Sequence, residues 1–319
     1  MKTLLLIDAN SIIHRSFHAL PPFTVSSEAS AKGGKPVGTP TGALYGLASI
    51  MLKLWREEKP DYAAAAFDRP EPTFREEKYK EYKAQRPPAP DILISQLIEA
   101  HNIFPVFGIK TFEAPGHEAD DIIATLAEKF AEERDLRVVI LTGDKDTLQL
   151  VRGDKVVVRT FKKGVSDTMI YDERAVEEKF GLKPNQLIDY KALMGDPSDN
   201  IKGVPGVGPK TAAELIKKFG SVENLYRNLS GDPKLEKKLG PFRREAELSR
   251  ELVILDRNAP VKVEKLEDLR VADKEEAQKE YFHSLGFETL VKRAEGAKED
   301  GKNNPDKKSH AGSGLFGDL

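Results

Sequence analysis

The chain has 319 residues, 39 % of them hydrophobic and 32 % charged, which is longer than most single cores, so two lobes or one domain with a large appendage are expected. No apolar run approaches the roughly 18 residues of a membrane span, and the opening MKTLLLIDANSII sets Asp8 and Asn10 where a signal peptide would stay apolar. The absence of cysteine excludes disulfide scaffolds, thiolate zinc sites and cysteine nucleophiles and fits a reducing cytoplasm, while a net charge of −2 names no partner by itself.

Four apolar or β-branched runs, at 3–7 (TLLLI), 62–67 (YAAAAF), 103–106 and 138–141 (VVIL), predict buried strands. Helical patterns lie between them near 41–57, 91–101 and 118–134. Strands alternating with helices imply an α/β fold with a mostly parallel sheet flanked by helices. Such sheets place ligands at the carboxyl ends of their strands. Asp8, Asp68 and Asp144 follow the first, second and fourth predicted strands, so three strands end in aspartate.

Residues 69–90 (RPEPTFREEKYKEYKAQRPPAP) interrupt the alternation with Lys, Arg, Tyr and Pro. They predict an exposed, partly helical excursion bounded by prolines. From 184 onward the pattern turns helical, with a Gly-rich turn at 203–208 and helices near 210–219, 221–229 and 243–255. Beyond about 292 the chain is polar, rich in Gly, Lys and Asp, and aperiodic, which predicts a disordered tail. The expected division is a catalytic core over 1–183, a second lobe over 184–291 and the tail over 292–319.

The chemistry concentrates in three acidic segments: GHEADDI at 116–122, TGDKD at 142–146 and GDPSDN at 195–200. Brought together, Asp8, Asp68, Glu118, Asp120, Asp121, Asp144, Asp146, Asp196 and Asp199 would form one pocket of nine carboxylates. That many close anions cannot all stay ionised without counter-charge. Hard divalent cations resolve this, and oxygen-only ligands suit Mg²⁺ or Mn²⁺ rather than zinc. Two such ions, roughly 4 Å apart, are the standard arrangement for hydrolysing a phosphodiester.

Setting those nine acids aside takes the net charge from −2 to +7. The remaining positive charge gathers in 152–163 (RGDKVVVRTFKK) and at Lys202, Lys210, Lys217 and Lys218, as binding of phosphates requires. The stretch GVPGVGPKTAAELI from Gly203, followed by KKFGS, reads as a helix–hairpin–helix, which grips a duplex backbone without reading its sequence. Its glycines allow close approach, and the helix after them starts with free N–H groups suited to phosphate.

In this order, the motifs FDRP-x-PTFR, YKAQRPP, EADD, TGDKD and GDPSDNIKGVPGVGPKTA resemble those of the 5′-nuclease (5′–3′ exonuclease) domains of bacterial DNA polymerases I and of the wider flap-endonuclease family. The likeness spans about residues 1–290. It implies a PIN-like core carrying a helical arch over about 69–101, with a helix–three-turn–helix lobe behind. The same nine acids would be metal ligands, directly or through water. In the arch, Arg75, Tyr82, Lys83 and Arg86 match positions expected near the scissile bond. Lys83 and Arg86 would supply charge to the transition state, and Tyr82 would stack on a base. Arg15 matches a phosphate contact. Lys202, Gly203, Gly206, Val207, Gly208, Lys210 and Thr211 would meet duplex DNA, with K⁺ in the hairpin.

The resemblance therefore implies a Mg²⁺-dependent 5′ nuclease, with Mn²⁺ able to substitute. It would act as a monomer on DNA with a 5′ flap, nick or pseudo-Y junction, or on RNA primers, in replication and repair. Two other possibilities stand beside it. One is a PIN-type ribonuclease for single-stranded RNA, which generally has about four acids and no hairpin lobe. The other is a junction-binding module without catalysis. In the tail, Leu315 and Phe316 follow a polar stretch and are candidates for docking into a sliding clamp.

Overall fold

The computed structural model describes residues 1–164 and 167–296. Its strands are β1 (Lys2–Asp8), β2 (Tyr62–Ala66), β3 (Lys110–Phe112), β4 (Leu136–Leu141), β5 (Val156–Lys163) and β6 (Asp167–Tyr171). Around and after them come α1 (Ala9–Ala19), α2 (Ser27–Ala31), α3 (Gly42–Glu58), α4 (Phe74–Lys78), α5 (Asp91–Val106), α6 (Ala119–Phe130) and α7 (Glu173–Phe180). The chain continues through α8 (Gln186–Met194), α9 (Pro209–Phe219), α10 (Val222–Arg227), α11 (Pro233–Leu239), α12 (Arg243–Val253), α13 (Glu275–Ser284) and α14 (Glu288–Gly296). Among the described residues no helix is long and apolar enough to cross a membrane.

The strands form one sheet in the order β3-β2-β1-β4-β5-β6. All neighbours are parallel except β5 and β6, which form an antiparallel hairpin at the edge. In β1, Leu4 and Leu6 pack on one face with Ile122, Ile123 and Leu126 of α6. Leu5 and Ile7 pack on the other with Ile12 of α1, Leu44 and Leu47 of α3, and Ile103 of α5. A strand covered on both faces reads as an unbroken apolar run, which is why TLLLI was visible. At its carboxyl end the run stops in Asp8, and the sheet's crossover geometry sets the ends of β1, β2 and β4 side by side.

Residues 103–106 are the last turn of α5, not a strand: Leu93, Gln96, Ala100, Ile103 and Phe104 are the buried positions, a helical spacing. The third strand is instead the short edge strand Lys110–Phe112, too polar and brief to show a pattern. The segment 152–163 is not a basic surface, because β5 is buried through Phe161. There Arg159 pairs with Glu57 and Glu58, and Arg152 pairs with Glu128 and Glu132. Of its unpaired bases, Lys162 and Lys163 stand exposed at the strand's end.

The excursion after β2 is likewise less exposed than its composition implies. Arg75 and Tyr82 are 1 % and 3 % exposed, and Tyr82 packs with Ile188, Ile201, Leu252 and Val253 of the second lobe. Finally, residues 275–291 do not pack with the hairpin lobe. Phe282, Leu285, Phe287, Leu290 and Val291 join the core beneath α3 and α5, with Tyr45 edge-on to Phe287. Helix α14 runs to Gly296, so 292–296 are helical rather than tail. Leu315 and Phe316 lie outside the described residues.

Candidate metal and nucleic-acid site

A cleft of about 360 Å³ opens at the carboxyl ends of β1, β2 and β4, lined by Asp8, Asp68, Glu118, Asp120 and Asp144 together with His14, Arg15, Lys83 and Arg86. Each acid is placed by its own backbone. Asp8 caps α1 by accepting from the Ser11 N–H (2.9 Å) and also accepts from the Thr142 hydroxyl (2.6 Å). Asp68 accepts from the Ala119 N–H at 2.7 Å, tying the end of β2 to the start of α6. Asp144 accepts from the Asp146 N–H at 2.8 Å. Asp120, one position into α6, has a buried Oδ1 without a hydrogen-bond partner.

The electrostatics follow from the crowding. Burial, then the neighbouring Asp68, pushes Asp8 up to about 7. Burial, then Asp8, Asp144, Asp68 and Asp146, raises Asp120 well above the ordinary carboxylate range. Enclosure in the cleft raises Asp68 as well. Buried acids that disfavour one another's charge are poised for cations.

A second cleft of about 410 Å³ shares Arg86, Gly143 and Asp144 with the first and adds Lys145, Asp146, Tyr190, Lys191 and Ser198. Burial and Asp144 push Asp146 up to about 7. Lys191 of α8 bridges Asp146 and Asp196, the latter at 2.6 Å. Burial alone would raise Asp196, but Lys191 and Ser198 outweigh it and hold Asp196 below the ordinary range. Asp199 is reached from the first cleft through Arg86, at 2.6 Å.

Six of the nine predicted acids therefore line two adjoining clefts, and Asp196 and Asp199 join them through Lys191 and Arg86. The ninth, Asp121, does not face them. It is fully buried, and its two oxygens accept from Arg75 Nη1 and Nη2, each at 2.7 Å. Arg75 also donates to the carbonyls of Leu252 and Ile254, both at 2.9 Å. Arg75 is therefore a buried clasp between α4, α6 and the end of α12, and no nucleic acid can reach its guanidinium. Tyr82 is also unable to stack on a base: its ring is buried, and its hydroxyl lies within hydrogen-bond reach of Glu118 (3.0 Å) and Asp199 (3.1 Å), with one proton to donate to either.

The other arch residues do face the acids. Lys83, in the left-handed region with φ of 52°, pairs with Glu118. Its backbone N–H donates to the Asp199 carbonyl at 3.0 Å. Arg15 lines the first cleft and donates to the Gly164 carbonyl at 2.6 Å, at the tip of the β5–β6 hairpin. Lys191 was missed in the sequence; its only signal there was a position five residues before Asp196, on a helix whose end carries that acid.

In the hairpin, Gly203 has φ of 63°, and a Cβ there would sit 2.3 Å from the Gly195 nitrogen, so only glycine fits. The turn is anchored by Val204 N–H to the Leu193 carbonyl (2.8 Å). Val204 and Val207 are buried, so Val207 can offer a ligand only its backbone. Gly206 and Gly208 leave the turn's outer side open, and Pro209 starts α9. Lys202 and Lys210 are exposed and Thr211 half-buried; Lys202 pairs with Glu81 of the arch at 2.8 Å.

Among the described residues, no three acidic or histidine side chains converge to ligating distance as they stand. The donor set nevertheless fits a hard divalent cation: carboxylate oxygens only, mutually raised, with the Asp120 oxygen unpartnered. Asp8, Asp120 and Asp146 bind protons more tightly in the folded chain than when unfolded, so folding stability falls as pH rises towards and through about 7. His14, lowered by burial, opposes this as one group against three. In EDTA, the melting temperature is therefore expected to rise as pH falls from 8 to about 5.5, and a saturating divalent cation should flatten that slope. A flat or inverted profile in EDTA would show that the acids do not crowd one another.

The family description "5'-3' exonuclease, N-terminal resolvase-like domain" matches residues 3–181. "5'-3' exonuclease, C-terminal SAM fold" matches residues 182–277. A 5'-3' exonuclease of Aquifex aeolicus is 38% identical over 297 residues, covering 92% of this chain and 96% of that protein. DNA polymerase I of Bacillus subtilis is 40% identical over 294 residues, covering 92% of this chain and 32% of that protein. The chain thus spans about a third of the length of the DNA polymerase I relatives it matches. In fold it is similar to T5 5'-exonuclease with bound divalent metal ions (zinc): TM-score 0.62, 24% identity, 93% of this chain and 99% of that one. It is also similar to the catalytic core of Rad2 in complex with DNA substrate, with TM-score 0.55, 17% identity, and 93% and 92% of the two chains covered.

Proposed function

The chain belongs to the 5'-3' exonuclease family, and from that premise we propose that it is a Mg²⁺-dependent, structure-specific 5′ nuclease that cleaves 5′ flaps, nicked or pseudo-Y DNA and RNA primers. The observation that carries this is the meeting of Asp8, Asp68, Glu118, Asp120 and Asp144 from three strand ends and one helix start, directly under the arch cations Lys83 and Arg86.

Asp8, Asp68, Glu118, Asp120 and Asp144 would hold one Mg²⁺, and Asp146, Asp196 and Asp199, with Asp144 shared, a second; Mn²⁺ would substitute. When bound, such ions lower the pKa of water and stabilise charge developing on the phosphoryl oxygens. The chain's own groups do the rest. Lys83 and Arg86 are paired with Glu118 and Asp199 without substrate; with those acids turned to cations, both are free to face the scissile phosphate. Their charge then stabilises the transition state from the arch side. Tyr82 keeps its burial and holds the arch turn over the acids, and Arg15 meets a phosphate at the cleft's rim.

The hairpin grips the duplex at a distance from the chemistry. The open side of Gly206–Gly208, the free N–H groups at the start of α9, Lys210 and Thr211 suit a phosphate, and Lys202 joins them once released from Glu81. The hairpin's carbonyls would take K⁺. Lys210→Glu is expected to weaken duplex binding at all sequences alike and to lower the slope of log affinity against log salt by about 1, with cleavage at saturating enzyme nearly unchanged. Filter binding across a salt series reads this.

The test of function is a competition among a 5′-flap duplex, single-stranded DNA of the flap's sequence and single-stranded RNA, with products mapped to the nucleotide in Mg²⁺. Incision at or next to the flap junction is the expected result. Preference for the RNA strand would make the chain a ribonuclease. Tight flap binding without any cut would make it a junction-binding module.

A further inference from the structure

Lys191 is 18 % exposed in its side chain, and its ammonium lies between Asp146 and Asp196, which are 13 % and 11 % exposed. It is therefore a largely desolvated cation held by two of the acids assigned above to the second Mg²⁺. The two clefts differ in their own counter-charge. The first is lined by Asp8, Asp68, Glu118, Asp120 and Asp144 against Arg15, Lys83 and Arg86. The second is lined by Asp144 and Asp146 against Arg86, Lys145 and Lys191. Arg86 is 49 % exposed in its side chain and so remains partly hydrated. Lys191 is more enclosed, and its backbone is fixed because α8 packs Leu187, Ala192 and Leu193 into the core.

We propose that Lys191 is a resident counter-charge: it holds Asp146 and Asp196 in place while the second cleft lacks metal, and an entering divalent cation must displace its ammonium to reach them. This rests on the nuclease reading, since that assigns Asp146 and Asp196 to a metal. Two consequences oppose each other in a way that a merely structural lysine does not. Removing the charge leaves two buried acids uncompensated, so the metal-free chain loses stability. It also removes the competitor, so the cation binds these acids more tightly. Lys191 is thus a positioning residue for the carboxylates and sets how readily the second cleft fills.

The experiment is a Mn²⁺ titration of the full chain without DNA, by calorimetry and by the resonance signal of free Mn²⁺, with melting temperatures in EDTA and in Mn²⁺. Asp146→Asn identifies which binding step belongs to the second cleft. Lys191→Gln and Lys191→Met are expected to strengthen that step at least tenfold, to melt lower than wild type in EDTA and to gain more from Mn²⁺. Lys191→Arg should keep wild-type affinity. An unchanged or weaker second step in the neutral variants, or a stabilisation by Mn²⁺ no larger than wild type's, overturns the inference. If one neutral variant does not fold in EDTA, the other and its recovery in Mn²⁺ decide the matter. Should wild type bind no Mn²⁺ at any of these acids, the metal assignment fails and the inference with it.

Discussion

Asp120→Asn is expected to lower cleavage on the order of 10³-fold, the scale of losing one preorganised electrostatic group, while raising the melting temperature of the metal-free chain. The two effects have one cause. Asp120 carries a buried oxygen with no partner and is opposed by Asp8, Asp144, Asp68 and Asp146. Without a cation its charge destabilises the fold; with one it is a ligand. The amide keeps the shape and removes the charge, so stability in EDTA should rise by several degrees and the stabilisation by Mg²⁺ should shrink. Flap binding in EDTA should be no weaker than wild type's, because the hairpin is untouched. Calorimetric melts with and without Mg²⁺, beside single-turnover cleavage, measure all three. An Asp120→Asn chain that melts lower than wild type in EDTA would mean that Asp120 is a structural acid.

Arg75→Ala is expected to do the opposite: a large loss of stability that precedes any loss of DNA affinity. The Arg75 guanidinium is 1 % exposed and satisfies Asp121 through two 2.7 Å bonds and the carbonyls of Leu252 and Ile254. Truncation leaves Asp121 buried and unpaired, which costs about 3–5 kcal/mol, or roughly 10 °C in a chain of this size. Asp121→Asn should cost less, since the amide oxygen still accepts from Arg75. Replacing both partners together, Arg75→Met with Asp121→Leu, should recover part of the loss because no buried charge is then orphaned. If Arg75→Ala melts like wild type but binds flap DNA poorly, the guanidinium is a phosphate contact after all, and the buried clasp does not exist in solution.

The sheet and the acids were legible for related reasons. A strand buried on both faces is an apolar run, and the aspartate that ends it marks the ligand side, so Asp8, Asp68 and Asp144 could be placed from sequence. The DD pair at 120–121 could not be resolved that way. Adjacent positions on a helix point about 100° apart, and only the fold shows that Asp120 faces the cleft while Asp121 faces Arg75. Similarly, composition marks 69–90 as exposed because Lys, Arg and Pro are usually solvated. The burial of Arg75 and Tyr82 depends on partners from residues 118–121, 199 and 252–254, contacts that no local pattern records. The segment 152–163 reads as basic for the same reason: its Arg159 pairs across about a hundred residues with Glu57 and Glu58. Lys191 was invisible because a lysine on a helix says nothing about which acids it will meet.

The carboxylates at the sheet's edge, loaded with a divalent cation, are expected to hydrolyse a phosphodiester at a 5′ junction. This is tested most directly by incubating a 5′-labelled flap duplex with the wild-type chain and with Asp144→Asn, each in Mg²⁺ and in EDTA. Incision near the junction is expected only for wild type in Mg²⁺. Equal cleavage in EDTA, or an Asp144→Asn chain as active as wild type, would contradict it.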